Sequence, residues 1–111
     1  MNIFVFTKFA LKKFYNLNLQ DRDRVARKLM DLKSHSDIFF VLKHLKGYGG
    51  NYFRLRVGDI RIILLLKIRT FSDFIFWVID VGHRKEIYRG ILKEIFLISV
   101  LLVVRRLKNN F

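Results

Sequence analysis

The residues of this chain best suited to chemistry are arginines. Arg54 and Arg56 stand two positions apart, Arg61 follows the turn-forming pair Gly58 and Asp59, and Arg84 comes directly after Gly82 and His83. A guanidinium binds phosphate through two parallel hydrogen bonds, and several aimed at one phosphorus stabilise the extra charge of a pentacoordinate transition state. Tyr52 and Tyr88 flank the set, and a tyrosine can stack on a splayed base or exchange a proton. The pattern fits RNA or another polyanion as partner. Its plain alternative is a solvated strand face on which the arginines do nothing but meet water.

Other chemistries have little to work with. There is no cysteine, and His35, His44 and His83 share no spacing that ligates a metal, so neither a metal nor a cofactor is expected. Gly47-Tyr48-Gly49-Gly50 lacks the lysine and hydroxyl residue that follow the glycines of a phosphate-binding loop, and reads as a turn. Ser34, Ser36, Ser72 and Ser99 lie in no nucleophile-elbow context.

The arginines need strands to hold them together. Tyr52, Arg54 and Arg56 alternate with Phe53, Leu55 and Val57, the two-residue period of a strand with one polar face. After Gly58 and Asp59, Ile60 to Ile68 and then Phe74 to Val81 are further β-rich runs, which gives an antiparallel meander. Upstream, Ile3 to Phe6 reads as a strand, and Thr7 as the N-cap of a helix through Phe14. From Gln20 to Ser34, Val25, Leu29 and Leu32 recur at helical spacing and predict a second, amphipathic helix. The fold class is therefore α+β, with the helices on one face of the sheet and the arginines on the other.

At 111 residues the chain has room for one domain, and with hydrophobic residues at 52% it is too apolar to stay disordered. Its 22 Lys and Arg against 9 Asp and Glu leave a formal charge of +13, so a partner with negative charge is expected. Without cysteine, and with Lys8, Lys12 and Lys13 interrupting any secretory core, the expected location is the cytoplasm. The segment Ile95 to Val104, apolar but for Ser99, is too short for a bilayer span of about 20 residues, so no membrane is expected as partner.

Three stretches together resemble the RelE/ParE toxin superfamily: Leu42 to Gly47, then Tyr52 to Arg61 reading YFRLRVGDIR, and Val81 to Tyr88 reading VGHRKEIY. The resemblance implies a RelE-like fold over residues 1–90, with two N-terminal helices packed on an antiparallel sheet of about four strands. It leaves residues 91–111 as an extra C-terminal segment of unknown role.

The resemblance further implies a metal-independent endoribonuclease, the toxin of a toxin–antitoxin system, which enters the ribosomal A site and cuts messenger RNA by attack of a ribose 2′-hydroxyl on the adjacent phosphate. It places Arg54 and Arg56 at the family's basic strand positions, Arg61 and Arg84 at its phosphate-stabilising arginines, and Tyr88 at its C-terminal tyrosine. Lys43, Lys46, Tyr52 and Lys85 then help to hold the RNA. Arginine keeps its proton above pH 12 and is a poor base, so His83 becomes the candidate proton acceptor. The implied partners are a small acidic antitoxin, the ribosome and messenger RNA. Two alternatives stand beside this: the ParE-like branch, which poisons DNA gyrase, and a non-catalytic basic domain that binds RNA or ribosomes.

Overall fold

The computed structural model describes residues 1–46 and 50–87. Strand β1 (Asn2–Phe6) leads into helix α1 (Lys8–Asn16), which starts where the Thr7 hydroxyl accepts a hydrogen bond from the Ala10 amide at 3.1 Å. Helix α2 (Leu19–Leu32) is capped by Asn18, whose side-chain oxygen accepts from the Asp21 amide at 2.8 Å. Its buried residues Val25, Leu29 and Leu32 follow the i, i+4, i+7 spacing of one helical stripe. The far end of α2 is satisfied by β1: the Asn2 side chain donates to the carbonyls of Leu32 and His35.

Between α2 and the meander the chain forms a short helix α3 (Ile38–Val41) and a two-residue strand β2 (Lys43–His44). Strand β3 (Tyr52–Val57), strand β4 (Ile60–Arg69) and strand β5 (Phe74–His83) make the expected meander. Gly58, with φ +58°, opens the two-residue loop between β3 and β4, a conformation that side chains resist and glycine adopts freely.

The sheet order is β1-β5-β4-β3-β2. Among the described residues it holds five strands, where about four were expected, and it is mixed: β1 lies parallel to β5, while the other neighbours are antiparallel. β1 and β5 are not consecutive in the chain, with three helices and strands β2 to β4 between them, so no hairpin constrains the pair to be antiparallel. A bulge leaves Ile79 without a partner between Asp80, opposite Ile63, and Val78, opposite Leu64.

One face of the sheet carries Leu55, Ile62, Leu64, Phe76, Val78 and Val81 against the helices. The other carries a smaller apolar cluster of Tyr52, Ile63, Ile79 and Ile87, the last from the helical residues 84–87 that fold back over it. Among the described residues no helix is long and apolar enough to cross a membrane. Tyr88 and residues 91–111 lie outside the described residues.

Candidate phosphate-binding site

Antiparallel partners share a face, and so do residues two apart on one strand, so the register fixes how the basic residues align. Arg56 is opposite Arg61, and Arg61 is opposite Gly82. The next row holds Lys43, Arg54, Ile63 and Asp80, and the row after it Tyr52, Leu65 and Trp77. Tyr52 and Ile63 of these rows belong to the apolar cluster on the face away from the helix-side core, while Asp80 is paired with Lys13 of α1. Arg54 and Arg56 thus share a face with Arg61.

These arginines differ in setting. Arg56 is exposed and Arg54 half-buried, whereas Arg61 is only 3% exposed. Arg61 Nη1 donates to the carbonyls of Gly58 at 2.7 Å and Ile60 at 3.2 Å, closing its own hairpin turn. Its Nε is buried with no hydrogen-bond partner, and none of the ion pairs among the described residues involves Arg56, Arg61 or Arg84. A buried cation with an unanswered donor is costly to the fold.

Arg84 joins from just beyond the end of β5. Its backbone amide donates to the Asp59 carbonyl at 2.9 Å, which ties the end of β5 to the β3–β4 turn. Arg84 and Lys85 are exposed there and line a cleft of about 430 Å³ with Asp59, His83 and Glu86. Lys43 and Lys46 are also exposed, with Lys43 beside Arg54 in the register.

Two residues sit differently from the expected site. His83, read from the sequence as a residue after the strand, is the last residue of β5, paired with Ile60, whose side chain belongs to the helix-side core. Its Nε2 lies 3.8 Å from Asp21 at the start of α2. Tyr52 is 6% exposed within the apolar cluster that Ile87 completes, which leaves its ring no free face for a base. Burial pushes its phenol above the ordinary value, because the charged form is poorly solvated there. Tyr88 lies outside the described residues.

Two neighbours of the site had no sequence signature. A Cβ placed on Gly58 would lie 3.7 Å from Nη1 of Arg24, an exposed arginine of α2. One placed on Gly82 would lie 3.4 Å from Lys13 Nζ. Lys13 in turn is paired with Asp80, which is 2% exposed. Only the tertiary fold brings these helix residues to the strand ends.

No protein-family model and no curated protein matches the chain. Solved structures do match it. The RelB-RelE antitoxin-toxin complex from Methanococcus jannaschii contains a chain 26% identical, with a TM-score of 0.58, over 76% of this chain and 94% of that one. The toxin-antitoxin complex RelBE2 from Mycobacterium tuberculosis matches at 20% identity and TM-score 0.60, over 74% and 96%. The isolated E. coli RelE toxin matches at 22% and 0.56, over 84% and 97%.

Proposed function

We propose that this chain, which has a RelE-like toxin fold, acts as the toxin of a toxin–antitoxin pair and cuts messenger RNA on the ribosome. The observation that carries this reading is the row formed by Arg56 and Arg61, with Arg54 on the same face and Arg84 tied to the same turn. In such a reaction the ribose 2′-oxygen bonds to phosphorus as the bond to the 5′-oxygen breaks. A 2′,3′-cyclic phosphate and a free 5′-hydroxyl result, and no metal enters the step.

Arg61 and Arg84 would hold the non-bridging oxygens, where guanidinium donors count most as charge builds in a site screened from water. Arg54 and Arg56 would act by electrostatics, favouring loss of the 2′-proton without accepting it. His83, 51% exposed and beside the Asp21 carboxylate, is the proton acceptor of this scheme, with the departing 5′-oxygen protonated from solvent. Lys43, Lys46 and Lys85 would steer the phosphate backbone.

An acidic antitoxin is the natural partner of a +13 chain. The matched structures include RelB-RelE complexes, which supports this assignment. The chain would work where ribosomes are, in the cytoplasm. The test is to induce the protein and map message ends by primer extension. Cuts inside translated codons, lost in Arg61→Ala, are expected, and a toxic culture whose messages stay intact would exclude the nuclease.

A second reading, RNA binding without cleavage, is favoured by one observation: His83 is paired toward the helix side of the sheet, away from the arginine row. It predicts that purified protein holds RNA through prolonged incubation with translating ribosomes and leaves it whole.

A further inference from the structure

Across three adjacent strands the row reads Arg56, Arg61 and Gly82. The third place has no side chain of its own, yet a cation stands at it. A Cβ on Gly82 would lie 3.4 Å from Lys13 Nζ and 3.5 Å from Ile87, a member of the apolar cluster on that face. Lys13 belongs to α1, so an ammonium from a helix takes up the position toward which a strand residue would have projected. Neighbouring strands are about 4.8 Å apart, so the three places span about 10 Å, a width that side chains as long as Arg and Lys can close on one phosphate.

Asp80 holds the ammonium there. This carboxylate is 2% exposed, and its Oδ1 accepts from Lys13 Nζ and from the Val81 amide, which fixes it against the strand. A lysine loose on the surface must be ordered when a ligand arrives, at a cost in affinity; here the fold has ordered it already. An ammonium carries three N–H donors, and Asp80 takes one. The Lys13 side chain keeps 27% of its surface exposed and borders a cavity of about 270 Å³ that His83 and Glu86 also line. A buried ion pair adds little net stability over apolar packing, so stability alone does not account for this one.

We propose that Lys13 is a further cation of the phosphate site, donating a hydrogen bond to a non-bridging oxygen of the phosphate that Arg61 holds, with Asp80 as the positioning residue that aims it. The inference rests on the proposed RNA-phosphate role of the arginine row. An ammonium is a compact point charge, so it adds to neutralisation without the planar, two-bond geometry that a guanidinium imposes. Glu86 Oε2 lies 3.5 Å from the same Cβ position, so phosphate arrives there in competition with a carboxylate, and the two arginines of the row tip the balance toward phosphate.

The first measurement uses the full chain without substitution and inorganic phosphate, with the side-chain nitrogens of Lys13 and Arg61 followed by NMR. Both are expected to shift along one binding curve. A shift at Arg61 with none at Lys13 overturns the proposal and leaves the arginine row standing, and no shift at either removes the row's phosphate role and the proposal with it. Lys13→Met alone strands the buried Asp80, so the variant combines Lys13→Met with Asp80→Asn, and a thermal melt checks its fold. One positive and one negative charge leave together, so the formal charge stays at +13 and a change in salt dependence reports a lost contact. With a labelled single-stranded RNA, the slope of log affinity against log salt is expected to fall by about 0.7, and cleavage on ribosomes by about tenfold or more. An unchanged slope in the folded variant means that the ion pair serves the fold alone, and overturns the proposal. A lower slope, in a protein whose parent cuts no message, removes the nuclease and keeps Lys13 as a phosphate contact.

Discussion

Arg56 and Arg61 face each other directly across the β3–β4 hairpin, one exposed and the other buried. Like charges placed opposite in this way oppose strand pairing, so the pair is held by the rest of the sheet and is kept at some cost. Arg56→Gln is expected to raise stability by about 0.2–1 kcal/mol, read as a higher urea midpoint, and at the same time to lower RNA cleavage and toxicity. Equal toxicity in the stabilised variant would show that the repulsion serves no purpose in the reaction.

Arg61 can be separated into charge and shape. Arg61→Ala should lower the cleavage rate by about 10²–10³-fold, by analogy with removal of one oxyanion donor. Arg61→Lys keeps the charge but loses the planar group whose Nη1 reaches the carbonyls of Gly58 and Ile60. Its rate is expected to lie close to that of the alanine variant. Quenched-flow cleavage of a defined message on programmed ribosomes gives both numbers.

Gly58 sets the turn that these groups share. At φ +58° an alanine costs about 1–2 kcal/mol, and it would disturb the carbonyl that receives Arg61. Gly58→Ala is therefore expected to lose stability and activity together, measured by thermal melts and message mapping. Gly82→Ala should melt near the parent, since its Cβ meets neighbours only at ordinary contact distance.

The arginine strand was legible because alternation over Tyr52 to Val57 and the Gly58–Asp59 turn fix a hairpin, and the hairpin fixes which residues are opposite. Thr7 and the Val25, Leu29, Leu32 stripe were legible for the same local reason. What escaped depends on long-range packing. Alternation placed Tyr52 on the polar face, but nothing local told that Ile87 would come back to cover it. Strand β5 runs two residues past Val81, which carries His83 into the sheet rather than beyond it. Lys13 and Arg24 read as solvated helix residues, and only the crossing of α1 and α2 over β5 and the β3–β4 turn brings them to the arginine row.

Tyr52 gives the fold a pH dependence of definite sign. Burial raises its folded pKa above the ordinary phenol value of 10.0, so the unfolded chain releases that proton first. The contribution to stability is intact below pH 10 and is lost as pH rises through the folded value. The informative quantity is the difference between the parent and Tyr52→Phe. Between pH 9 and pH 11, Tyr52→Phe is expected to lose less unfolding free energy than the parent in urea titrations, and parallel losses would disprove the assignment.

Arg24 tests whether the basic surface extends beyond the sheet. Its guanidinium lies by Gly58, yet its side chain is exposed, so Arg24→Ala should leave the melting temperature within about 3 °C, as surface changes do. If it meets a phosphate of single-stranded RNA, its loss lowers the slope of log affinity against log salt by about 0.7. Fluorescence anisotropy with a labelled RNA over a salt series measures that slope. A uniform drop in affinity with an unchanged slope would place Arg24 outside the RNA path and confine the interface to the strands.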